Sequence, residues 1–107
     1  MIYHIADIAA WEHALLSTHY SHPTLASEGF IHCSTEAQLV NTMNRHFAEQ
    51  TELLVLTIVE KFVRTKLKWE ESSHNETFPH IYGRIPLEAV ETISKWAKNA
   101  EGVWEKE

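Results

Sequence analysis

The chain has little with which to cross-link or punctuate itself: its 107 residues include one cysteine, three glycines and three prolines. A single thiol, Cys33, cannot close an internal disulfide, so the fold has no covalent staple of its own. With no Gly/Ser linker, internal repeat or low-complexity tract, the expectation is a single domain over residues 1–107. No apolar run approaches the length of a membrane-spanning helix, which removes a membrane from the expected partners. Basic charge is also short, nine Lys and Arg against fifteen Asp and Glu, for a formal charge of −6. Phosphate backbones are held by basic stripes, so nucleic acid is not an expected partner either. The start, MIYHIAD, lacks a basic segment followed by an apolar one, and the expected location is the cytoplasm.

What the chain does have is apolar residues, 44% of the total, enough at this length to bury a core. It also has eight histidines, at 4, 13, 19, 22, 32, 46, 74 and 80, more than ordinary composition supplies. Ile2–Ile5 reads as a strand, followed by a helix with Asp7 as N-cap and a stripe at Ile8, Trp11 and Leu15. Residues 17–29 are mostly polar and read as a loop. Phe30–Ser34 reads as a second strand, and Thr35 with Gln38 forms a capping box for a helix that buries Leu39, Met43 and Phe47. Leu53–Val59 is a nearly unbroken apolar run, the pattern of a central strand covered on both faces. Val63–Glu70 mixes β-branched and basic residues, and Glu71–Thr77 reads as a loop. Ile81–Ile85 reads as a strand, Pro86–Ala89 as a helical turn, and Val90–Trp96 as an edge strand. Two helices in the N-terminal half and several short strands indicate an α+β fold.

Side chains alternate along a strand, so Phe30, His32 and Ser34 share one face while Ile31 and Cys33 take the other. Ser34 also stands at the start of the capped helix, where free N–H groups favour an anion. His32 is either a hydrogen-bonded core histidine or a ligand group, and Ser34 either a cap or part of the same site. His4 lies on the opposite face from Tyr3. His80 and Tyr82 share a face if extended and could stack on a ring. Glu70 beside Trp69 is a carboxylate open to desolvation, a base or a cation stabiliser. His4, His32 and His80 could supply three zinc ligands, but no His-x-x-x-His or Cys-x-x-Cys spacing supports a metal, and none is expected. Cys33 points away from His32 and reads as a small buried hydrophobe, not a nucleophile. His13, His19, His22, His46 and His74 read as solvated.

Four segments together carry a resemblance: the opening IYH, EGFIHCST at Glu28–Thr35, LKWE at Leu67–Glu70 and FPHIYGRIP at Phe78–Pro86. Over essentially its whole length the chain resembles the uncharacterised bacterial family named domain of unknown function 952. That resemblance implies a small ADP-ribosyltransferase-like fold, with a curved, split, mixed or antiparallel sheet around a nicotinamide-dinucleotide cleft. In active proteins of that fold the first core strand carries an Arg or His that holds the dinucleotide. The next key strand carries a Ser or Tyr, and a later Glu supports the ribosyl cation. By position His4 matches the first, the His32/Ser34 strand the second, and Glu70 or the His80/Tyr82 segment the region of the third. No clear Glu-x-Glu loop is present.

The implied function is binding of a nicotinamide dinucleotide or ADP-ribosyl ligand, with transfer of the ADP-ribosyl group as the associated chemistry. His32 and Glu70 would be catalytic, and His4, Ser34, His80 and Tyr82 would bind the ligand. NAD would be a substrate, with no cofactor required. The alternatives are a binding module without chemistry, for a small anion or a protein partner, and a plain interaction domain.

Overall fold

The apolar run in the middle of the chain forms the strand that organises the molecule, in a computed structural model that describes residues 1–72 and 75–107. This strand, Glu52–Ile58, lies between Ile2–Ala6 and Val90–Lys98, and the C-terminal Trp104–Lys106 completes an antiparallel sheet. In chain order these are β1 (Ile2–Ala6), β4 (Glu52–Ile58), β8 (Val90–Lys98) and β9 (Trp104–Lys106). Both faces of β4 are covered. Leu53 and Val55 pack with Ile5, Leu39, Met43 and Trp104, while Leu56 and Ile58 pack with Ile2, Trp11, Tyr20, Ile31 and Ile81. A run of apolar residues without alternation is what such double coverage requires.

A second antiparallel sheet has the order β3 (Ile31–His32), β6 (Thr77–Ile81), β5 (Leu67–Glu71). The two sheets touch through a bridge at Tyr3 and Ser34, whose N–H groups and carbonyls exchange bonds of 2.9 and 2.7 Å. Beyond that bridge the sheets part. A short pair, β2 (His19–Tyr20) with β7 (Ile85–Pro86), brings Tyr20 under the first sheet. Every strand pair among the described residues is antiparallel. The architecture is α+β.

Helix α1 (Ile8–Ala14) begins after Asp7 as expected, but the Asp7 side chain makes no cap bond, and Trp11 and Ala14 are the buried positions. Leu15 is exposed, one residue past the last turn. The segment 17–29 is not all loop. Pro23–Glu28 is a helix, α2, with Pro at its first position and Gly29 closing it at φ 89°. That bracket of Pro before and Gly after is a helix signature. The segment reads as loop because none of its six residues is buried, so no apolar stripe marks it. Only glycine takes that left-handed φ without strain, and the turn it makes sends the chain into β3.

A short 3-10 turn, Glu36–Gln38, leads into α3 (Leu39–His46), which buries Leu39 and Met43, with Phe47 just past its end packed on the same cluster. The Thr35/Gln38 capping box is present. The segment Ile81–Ile85 is not one strand: β6 ends at Ile81 and β7 begins at Ile85. Nor is β8 an edge strand, because β9 pairs with its last three residues. The rest of β8 has β4 on one side only, which accounts for the alternation that reads as an edge. The expectation for His74 falls outside the described residues. No helix is long and apolar enough to cross a membrane among the described residues.

Cys33 follows the alternation of its strand and is buried with Ile31, Leu56 and Ile58. Burial pushes its thiol well above the ordinary range, because a thiolate there would have no solvation. A thiol reagent should therefore modify Cys33 only as fast as the native protein unfolds. Labelling within the mixing time of native protein would place the thiol at the surface.

Candidate functional site

Where the two sheets part, beside the Tyr3–Ser34 bridge, lies a cleft of about 600 Å³. This is within the ordinary range of small-molecule sites. β1 contributes His4, the β3 segment His32 and Ser34, and β6 Phe78 and His80. From the helices come His22, Thr24 and Glu28 of the α2 region and Thr42, Arg45 and His46 of α3. Five imidazoles thus line one cavity.

His4 is 2% exposed. Its Nδ1 lies 2.6 Å from the His32 carbonyl and its Nε2 2.8 Å from the Tyr20 hydroxyl. A carbonyl only accepts, so Nδ1 carries the proton, and Nε2 of the neutral ring accepts from Tyr20 O–H. Burial pushes the His4 pKa down to about 4, with His22 and His32 nearby adding to the shift. Burial likewise raises the Tyr20 phenol. Both His4 nitrogens bond within the protein, so the ring forms part of the cleft wall and fixes the His32 backbone.

His22 caps α2, its Nδ1 accepting from the Thr24 N–H at 3.2 Å. The neutral ring therefore carries its proton on Nε2, for which no partner appears among the described residues. Burial lowers the His22 pKa, opposed in part by Asp7 and Glu28. His46 is exposed on α3, as expected of a solvated residue, and His22 is partly buried, and both also line the cleft. The signals were local. His22 directly precedes the Pro that opens α2, and Thr42, Arg45 and His46 have the i, i+3, i+4 spacing of one helix face, offset from buried Leu39 and Met43.

His32 is half-exposed, its Nε2 at 3.2 and 3.3 Å from the two Glu28 carboxylate oxygens. It is not a core histidine. Ser34 is buried, and its hydroxyl lies 3.5 Å from that of Thr42. The anion site expected at the following helix end is weakened, because two of its N–H donors are satisfied internally. Thr35 N–H donates to the Gln38 side chain at 2.9 Å, and Gln38 N–H to the Thr35 carbonyl at 3.1 Å.

Glu70 and Tyr82 do not line the cleft; they stand behind His80. One Glu70 oxygen accepts from His80 Nδ1–H at 2.8 Å and from Tyr82 O–H at 2.5 Å. Those two bonds, Tyr82 first, hold the Glu70 carboxyl below its usual range, and the same bond raises the Tyr82 phenol. Phe30 stacks on the His80 ring at 4.1 Å and leans on Tyr82 at 5.3 Å, with the Lys68 ammonium 4.8 Å from the centre of the Tyr82 ring. Among the described residues no group of three or more His, Cys, Asp or Glu is arranged to hold a metal.

The architecture is shared with solved structures. Protein CC0527 from Caulobacter crescentus, in its crystal structure, is 28% identical and superimposes with a TM-score of 0.88 over 97% of this chain and 92% of that one. A double mutant of the same protein gives 0.87, and its solution NMR structure, 29% identical over 95% and 89% of the two chains, gives 0.82. No curated protein matches the chain. The profile of the family described as protein of unknown function DUF952 matches residues 5–93, and the chain belongs to that family.

Proposed function

We propose that the cleft binds a phosphate-bearing nucleotide of the nicotinamide-dinucleotide or ADP-ribosyl class. The observation that carries this reading is the gathering of His22, His32, His46, His80 and Arg45 around one cavity in a chain of net charge −6. Imidazole N–H groups and a guanidinium are donors suited to phosphate and ribose oxygens. Phe47 and Phe78 add apolar wall for a base or nicotinamide ring. The ADP-ribosyltransferase-like fold implied by the family resemblance supports the same ligand class. In this reading the dinucleotide is a ligand or substrate, no resident cofactor is needed, and the partner is a small molecule of the cytoplasm.

Transfer of an ADP-ribosyl group is the less favoured extension. Glu70, expected to face a ribosyl cation, is instead tied to His80 and Tyr82 outside the cleft lining. Binding without that transfer fits the geometry better.

A thermal-shift series with NAD, ADP-ribose and pyrophosphate tests the reading, since a ligand of the native state raises the melting temperature by mass action. At least one of the three is expected to do so, and a flat response to all three at millimolar concentration sinks the proposal. His32→Ala should weaken that binding about tenfold or more, ~1.4 kcal/mol, the loss of one well-aligned hydrogen bond. Because the His32 ring is half-exposed, the unliganded variant should melt close to the wild type. A variant that melts much earlier yet binds with unchanged affinity would make His32 structural.

A further inference from the structure

Two of the imidazoles that line the cleft, His32 and His80, stand on neighbouring strands, and each is paired with a carboxylate. His32 and His80 are direct partners across the antiparallel β3–β6 pair, with rings 5.2 Å apart and edge to face. Each has one nitrogen committed to a carboxylate, His80 to Glu70 and His32 to Glu28. The Glu70 carboxylate only accepts, so Nδ1 of His80 carries the proton and the neutral ring presents Nε2 as a lone pair. Tyr82 anchors the same Glu70 oxygen, and Phe30 stacks on the ring, so the orientation of His80 is set from two sides. An oriented acceptor beside a second imidazole is the equipment of acid–base catalysis.

We propose that this cleft hydrolyses a small nucleotide phosphodiester, with His80 as general base and His32 as general acid. The inference rests on the phosphate-bearing ligand proposed above and names the reaction its site would perform. His80 Nε2 takes a proton from water as the water oxygen bonds to phosphorus. The P–O bond to the ribose hydroxyl breaks, its electron pair staying on the leaving oxygen. That oxygen takes a proton from charged His32, whose other N–H is held by Glu28. One water and one diester become a phosphate monoester and an alcohol, and exchange with solvent returns both imidazoles to their starting states. Arg45, lining the same cavity, offsets charge on the non-bridging oxygens. Glu70 and Tyr82 touch no reacting atom and are positioning residues, which revises the catalytic role expected of Glu70.

Two probes separate the roles. Bis(p-nitrophenyl) phosphate has a leaving group that departs without protonation, whereas 2′,3′-cyclic AMP must release a ribose hydroxyl. Wild-type protein is expected to turn over both. His80→Asn and His80→Gln should each lower kcat by about a hundredfold or more on both probes, with KM little changed. His32→Asn should lose about a hundredfold on the cyclic nucleotide and less than about tenfold on the aryl ester. Glu70→Gln should lower kcat by about tenfold at constant KM, with partial recovery in Glu70→Asp. Absence of turnover in a wild-type protein that a dinucleotide still stabilises overturns this inference and leaves the binding proposal standing. Absence of both turnover and stabilisation removes both. Wild-type rates in both His80 variants would also overturn it, by placing the base elsewhere.

Discussion

His4→Ala is expected to destabilise the fold by about 2–4 kcal/mol and to remove much of its sensitivity to acid. The ring is buried and satisfies two polar groups, the His32 carbonyl at 2.6 Å and the Tyr20 hydroxyl at 2.8 Å. Alanine leaves both unpaired beside a cavity, and an orphaned buried group costs more than the bond it made. The acid dependence follows from the same burial. The folded-state pKa of His4 is about 4, below the ordinary 6.5, so between those values the unfolded chain binds more protons and folding weakens as pH falls. The contribution is complete above about pH 6.5 and is lost as pH drops through about 4, a difference of roughly 3 kcal/mol. His22, also lowered by burial, acts in the same direction, so the slope in the variant shrinks without vanishing. Denaturant titrations of wild type and variant at several pH values between 4 and 7 measure both effects. A variant within 1 kcal/mol of wild type, or one with the full acid slope, would show that the buried ring is not what ties stability to pH.

The second large effect is expected at Leu56→Ala, a loss of about 3–5 kcal/mol. Leu56 is fully buried on β4, the cross-strand partner of His4 on one side and Ile93 on the other. It belongs to the cluster in which Ile2, Tyr20, Ile31 and Ile58 meet, so the surrounding side chains belong to several different elements and cannot collapse together into the space. Ile93→Ala on neighbouring β8 is the control: that side chain is 46% exposed and should cost under about 1 kcal/mol. Equal losses at the two positions, read from the same denaturant curves, would contradict the placement of the core.

Part of the candidate site was legible because it depends only on strand periodicity. Alternation along Phe30–Ser34 puts Ile31 and Cys33 in the core and His32 on the opposite face, as found. The same rule separates His4 from Tyr3. It cannot say that Tyr20, sixteen residues on, seals the His4 face and occupies its second nitrogen. Likewise His80 and Tyr82 were readable as neighbours, but their bonds to Glu70 arise from the β5–β6 register, which sets Lys68 opposite His80 and Glu70 opposite Phe78. A shift of one residue would turn Glu70 to the other face. Glu28, Arg45 and His46 were missed because a polar helix face, such as the Thr42, Arg45 and His46 face of α3, has the same spacing whether it meets water or a cleft.

From its own composition and periodicities the chain determines its class and its main elements: a staple-free α+β domain, a central strand at Leu53–Val59, a capped helix after Thr35 and a buried Cys33. These follow from the linear pattern, since apolar spacing, capping residues and strand alternation act over a few residues at a time. Tertiary structure alone decided which histidines meet, which nitrogens remain free and where the carboxylates stand. Those outcomes depend on the packing of segments far apart in the chain, above all on the place where one bridge, Tyr3 to Ser34, joins two sheets that otherwise diverge and leave the cleft between them.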